Sequence, residues 1–106
     1  MIIYIISAVK GTLLNKKTGV ETRLGEHEQQ TLKILMQNYG VIMNTDELIQ
    51  QVWQKKCVTR GSLIKVINSL RYTLKDTPPY KIIMTAPRKG YWFNPQAISL
   101  FGQSRI

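Results

Sequence analysis

Cysteine and histidine are almost missing from this chain, and acid is scarce. Cys57 and His27 are each the single residue of their kind, against six acids and fifteen basic residues. A lone thiol closes no internal disulfide, and Cys57 and His27 do not stand at a metal-ligand spacing. Six scattered acids and one histidine do not supply the general base and metal cluster that a small basic nuclease needs. Glu28 has no acidic or nucleophilic partner at working distance along the chain and reads as a helix cap. No enzymatic activity, metal or cofactor is expected, and a single incidental thiol suits a reduced, cytoplasmic setting.

Long apolar runs are missing too. Met1–Val9 is apolar, but Lys10 cuts it short of a membrane span. It lacks the basic leader and small-residue cleavage site of a signal peptide, and its β-branched alternation reads as a buried strand. No repeat, low-complexity tract or Pro/Gly/Ser linker divides the 106 residues. One domain is therefore expected over residues 1–95, with 96–106 as a C-terminal tail where the pattern fades.

What is abundant is positive charge, and it is unevenly placed. The formal net charge is +9. Residues 1–53 carry five basic and five acidic side chains, whereas residues 54–106 carry ten basic ones and a single acid, Asp76. A one-sided basic half points to a polyanionic partner or to a solvated basic face, and charge alone does not choose.

The hydrophobic pattern supplies the architecture. Residues 2–8, Thr12–Leu14 and Val20–Leu24 read as strands, the last two joined by the turn Asn15-Lys16-Lys17-Thr18-Gly19. Gly25 with Glu28, and Asn44 with Glu47, mark two helix starts. Leu32, Leu35, Met36 and Tyr39 then follow at helical spacing in the first helix, which Gly40 ends. Leu48, Ile49, Val52 and Trp53 do the same in the second. A third helix begins after Thr59 and stops before Thr77-Pro78-Pro79. At 100° per residue, Leu63, Ile67, Leu70 and Leu74 fall on one seam, with Gly61, Lys65, Asn68, Ser69 and Tyr72 on the opposite side. The chain then reads as a β-hairpin, with Ala86-Pro87-Arg88-Lys89-Gly90 as its tip. The expected fold is α+β: a winged helix-turn-helix with an N-terminal antiparallel sheet, three helices and a C-terminal β-hairpin wing.

In this order of elements, the far side of the third helix is free to enter a major groove. Asn68 can pair bidentately with adenine, and Lys65 can donate to guanine acceptors. Arg71 and Lys75 flank that face as phosphate contacts, although Arg71 has the alternative of bracing the fold against Asp46 or Glu47. Tyr72 divides between this face and covering the edge of the wing. Arg88 and Lys89 suit the minor groove or the backbone beside it.

The stretch Leu24–Phe93 resembles the effector domain of OmpR/PhoB-type transcription factors, and most nearly the ToxR/CadC-like one-component regulators. The resemblance rests on LGEHE at 24–28, NTDEL at 44–48, Val52-Trp53, SLIKVINSLRYTLKD at 62–76 and TAPRKGYWF at 85–93. It implies a third helix that reads double-stranded DNA through Ser62, Lys65, Asn68, Ser69 and Arg71, and a wing that touches it through Thr85 and Arg88 or Lys89. It further implies transcription control, with activation favoured, and tandem binding as a homodimer. The connector Gln54, Lys55, Lys56, Val58 and Thr59 matches a loop that touches RNA polymerase in some relatives. Two positions depart from the pattern: Ser69 stands where many members carry arginine, and Gly25 replaces a capping threonine. With the domain starting at residue 2, phosphorylation-driven control by a receiver domain in cis is not expected. The membrane helix that follows the domain in ToxR/CadC-like proteins is not in this sequence, which reads either as a naturally short protein or as a fragment of a longer one tethered to the inner membrane. The rival reading is a winged-helix adaptor that docks RNA polymerase or another regulator on its basic face.

Overall fold

Three amphipathic helices need a common wall, and two small sheets provide it. A computed structural model of the chain describes residues 1–54 and 58–104. Strands β1 (Tyr4–Ser7), β2 (Thr12–Asn15) and β3 (Val20–Arg23) precede helix α1 (Glu26–Gln37). A two-residue strand, β4 (Met43–Asn44), leads into α2 (Thr45–Trp53), followed by α3 (Arg60–Leu74). Strands β5 (Ile83–Ala86) and β6 (Gly90–Phe93) form the wing. The architecture is the winged helix-turn-helix that the pattern predicts.

The helices form where the periodicity places them because each has one face to bury. In α3, Leu63, Ile67, Leu70 and Leu74 are at most 1% exposed. They meet Leu32 and Leu35 of α1 and Leu48, Val52 and Trp53 of α2 in one core. Each such side chain contributes roughly 1.5–3 kcal/mol of transfer free energy, enough to override the modest helix propensity of Val, Ile and Asn in α3. The starts are capped from the expected residues. The Gly25 N–H donates to Glu28 Oε1 at 2.8 Å, and Asn44 Oδ1 accepts from the Asp46 N–H at 2.9 Å. Helix α1 ends earlier than expected, at Gln37, and Tyr39 lies beyond it, about half exposed. Asn38 stops the helix by turning its own Nδ2 onto the Ile34 carbonyl at 2.8 Å.

The expected tail is a correction. Residues Pro95–Leu100 form a 3-10 helix, and β7 (Phe101–Ser104) pairs in parallel with β1, so the first sheet runs β3-β2-β1-β7 and is mixed rather than antiparallel. Phe101 stacks on Tyr4 at 4.8 Å and meets the edge of Phe93 at 5.4 Å, and Ala97 is buried. Only one of the four β7 residues is a large apolar one, and its partner strand lies at the other end of the chain, so local periodicity carries no trace of the pairing.

Two buried groups tie the sheets to the end of α3. Tyr4 Oη donates to the Leu74 carbonyl at 2.6 Å. Burial first, and then the Asp76 carboxylate, raise the Tyr4 phenol above its ordinary value of 10.0, so it stays a donor. Asp76 itself accepts from the N–H groups of Lys81, Ile82 and Ile83 at 2.8, 3.1 and 2.9 Å. The one acid of the basic half is thus consumed inside the fold.

Candidate nucleic-acid interface

Once the seam of α3 is packed inward, helical geometry turns Gly61, Lys65, Asn68, Ser69 and Tyr72 outward, and all five are exposed. Ser62 is half-buried at the first turn. Lys65 and Asn68 have no side-chain partner among the described residues, so their donors and acceptors are available. Tyr72 is 86% exposed, so its ring does not cover the wing.

Three of the expected contact residues, Arg71, Thr85 and Ser69, have side-chain partners within the fold. Arg71 is buried: its Nε and Nη2 donate to the Ile83 carbonyl at 3.1 and 2.7 Å, and Nη2 donates to Thr85 Oγ1 at 2.8 Å. Its guanidinium lies 3.6 Å over the Tyr80 ring. Arg71 is therefore a brace between α3 and the wing, through a carbonyl and a hydroxyl rather than an acid. The signal was in the spacing, since Arg71 stands four residues after Ile67 and three before Leu74, at the margin of the buried seam. Ser69 Oγ donates to Glu28 Oε2, which ties α3 to α1. Glu28 caps its own helix with one oxygen and holds Ser69 with the other, a role that spacing alone did not reveal.

The wing tip is joined to the helices rather than hanging free. The Thr45 N–H donates to the Lys89 carbonyl at 3.1 Å, so the first turn of α2 grips the tip. Gly90 makes this approach possible: a Cβ there would sit 1.9 Å from the Met43 carbonyl oxygen across the β4–β6 pair. Arg88 holds a left-handed backbone, φ 64°, at the turn, and Arg88 and Lys89 are exposed. A cleft of about 140 Å³ between wing and helices is lined by Asn44, Thr45, Thr85, Arg88, Lys89 and Arg60.

Arg60 is a residue that the sequence reading missed. It opens α3 beside the wing and pairs with Asp46 at 3.3 Å, both side chains about 70% exposed. Such an open pair is worth little, about 0–1 kcal/mol, and yields readily to another anion. At the far end of α3, Lys75 is exposed at the left-handed cap, φ 56°. In the connector, Gln54 and Thr59 are exposed and Val58 packs against the core; Lys55, Lys56 and Cys57 lie outside the described residues. Among the described residues there is no cluster of metal-ligating side chains, and no helix is long and apolar enough to cross a membrane.

A helix with a polar outer face, flanked by free cations at both ends, has the shape and charge of a duplex reader, and comparison with known proteins agrees. The family model described as "Transcriptional regulatory protein, C terminal" matches residues 19–93. Transcriptional activator CadC of Escherichia coli (strain K12) is 38% identical over 64 residues, 57% of this chain and 12% of that protein. Transcriptional regulator HilA of Salmonella typhimurium is 32% identical over 84 residues, 79% of this chain and 15% of that protein. The chain thus spans a small part of the length of these curated relatives. Among solved structures, the DNA-binding domain of E. coli CadC superposes with a TM-score of 0.70 at 28% identity, covering 80% of this chain and 79% of that one. The RstA DNA-binding domain of Klebsiella pneumoniae, solved in complex with its RstA box, gives 0.70 at 27% identity over 85% of this chain and 89% of that one.

Proposed function

The chain belongs to the family of transcriptional regulatory protein C-terminal domains, and from that premise we propose that it binds double-stranded DNA sequence-specifically and regulates transcription. The family and fold are those of regulatory domains, not enzymes. The observation that carries the proposal is the two-faced α3: its apolar seam is sealed in the core while Lys65 and Asn68 are exposed on the outer face of a helix whose first residue, Arg60, lies beside the basic wing tip. In this reading Lys65 and Asn68 address base edges in the major groove. Arg60, Lys75, Arg88 and Lys89 neutralise phosphates, Thr85 and Ser62 lend hydrogen bonds, and Tyr72 lies against the sugar-phosphate wall. Ser69 and Arg71 act as supports from behind.

Activation is the favoured direction, in keeping with the name of the CadC relative. Gln54, Val58 and Thr59 border the connector proposed to meet RNA polymerase, and two copies in tandem are proposed on direct repeats. Such a protein works on the nucleoid in the bacterial cytoplasm, or from an inner-membrane tether where the chain is part of a longer ToxR/CadC-like protein. A duplex-binding titration over several salt concentrations tests the central claim. The four phosphate-facing cations make about four contacts, so log affinity falls with log salt at a slope of about −3.5. A flat response, with RNA polymerase still captured, would replace this reading with the adaptor.

A further inference from the structure

We propose that the β2–β3 hairpin is a second basic wing, gripping the DNA backbone at the end of α3 opposite the β5–β6 wing. The inference rests on the DNA-binding reading above. It adds a contact surface made of residues whose sequence reads as a simple turn.

Four observations carry it. First, the hairpin tip stands beside the last turn of α3. A cleft of about 490 Å³ opens between Asn15, Thr18 and Val20 on one side and Tyr72 and Lys75 on the other. Second, the placement is fixed rather than incidental. The Tyr4 hydroxyl pins β1, the neighbour of β2, to the last carbonyl of α3.

Third, the tip is built to hold its shape. Asn15 Oδ1 accepts from the Lys17 N–H at 2.9 Å, the Gly19 N–H returns to the Asn15 carbonyl at 2.8 Å, and Thr18 Oγ1 accepts from the Val20 N–H at 3.2 Å. An Asn side chain that satisfies the following amides makes a turn that needs no tertiary support. Lys16 and Lys17 project from it, exposed and with no side-chain partner among the described residues.

Fourth, local acids do not cancel the charge. Asp76, which also lines the cleft, is spent on three backbone N–H groups. Glu21 on β3 accepts from Thr12 Oγ1 at 3.2 Å and is matched by Arg23 on the same strand.

Length then matters. The 15 residues of α3 span about 22 Å at 1.5 Å per residue, whereas the major groove is about 12 Å wide. A helix lying across such a groove meets a phosphate wall near each end. The β5–β6 tip with Arg60 serves one end. Lys16, Lys17 and Lys75 serve the other.

The test compares the intact chain with the double variant Lys16→Ala/Lys17→Ala on a genomically selected duplex and on random duplex, with Lys89→Ala as the control. Two further phosphate contacts take the wild-type slope to about −5.5, and the double variant returns it to about −3.5. Affinity for both duplexes falls together, leaving their ratio unchanged, because phosphate contacts carry no sequence information. The variant folds, since both side chains are exposed and the turn is made by Asn15, Thr18 and Gly19; circular dichroism checks this. An unchanged slope in the double variant, with a slope that drops in Lys89→Ala, overturns the hairpin contact alone. A wild type that is insensitive to salt overturns the underlying reading as well.

Discussion

The two ends of α3 are both flanked by positively charged hairpins, yet they are held by different means. At the N-terminal end the β5–β6 wing is fitted by long-range contact, with Gly90 against the Met43 carbonyl and Lys89 under the first turn of α2, while Arg71 braces β5 from the last turn of α3. At the C-terminal end the β2–β3 turn is closed by its own Asn15 and Thr18, and a Cβ added at Gly19 would meet nothing within 4 Å. The contrast teaches where each hairpin is vulnerable. A wing made by packing fails when a distant backbone is pushed, whereas a turn made by local hydrogen bonds fails only by its own conformation.

Substitutions at matched positions break that comparison in graded steps. The largest effect is expected at Gly90→Ala. Its Cβ meets backbone, which does not swing aside as a side chain does, so the β4–β6 pair must separate at a cost of about 3 kcal/mol in urea unfolding. Gly19→Ala at the opposite hairpin costs only about 1 kcal/mol, from its φ of +74°. Similar losses at the two sites would show that the wing is not held by close approach.

Next in size is Arg71→Met, which leaves the Ile83 carbonyl without its charged donor and is expected to cost about 2–3 kcal/mol of stability. The salt slope of DNA binding by the folded protein stays as in wild type. A drop of about 0.9 in that slope with unchanged stability would return Arg71 to the phosphate contacts. The smallest change in stability is expected from Arg88→Gly. Glycine relaxes the left-handed backbone and offsets its own unfolded-state entropy, for a net change within about 1 kcal/mol. Its DNA slope nevertheless falls by about 0.9, which separates the charge of the tip from its shape.

The sequence reading succeeded where one segment carries its own information. The seam Leu63, Ile67, Leu70, Leu74 follows from 100° spacing, and all four side chains are sealed. The cap at Asn44 and the Asn15–Gly19 turn are likewise made by neighbours in the chain. It failed where the deciding partner is far away. Ser69 looked like a free hydroxyl until Glu28 met it from α1. Phe101–Ser104 looked like a tail because one phenylalanine in four residues has no periodicity, and its partner is β1. Arg60 was passed over because its value comes from the wing tip beside it.

Sequence alone determined the inner faces of the helices, the excess of positive charge in the second half, and the basic residues at both hairpin tips. Periodicity, composition and turn chemistry are properties of near neighbours. Tertiary structure alone decided which cations are free to meet an anion. It buried Arg71, brought Arg60 to the wing, and set the turn that carries Lys16 and Lys17 across a cleft from the far end of α3. A charge is available or consumed according to what packs against it, and that neighbour arrives from elsewhere in the chain.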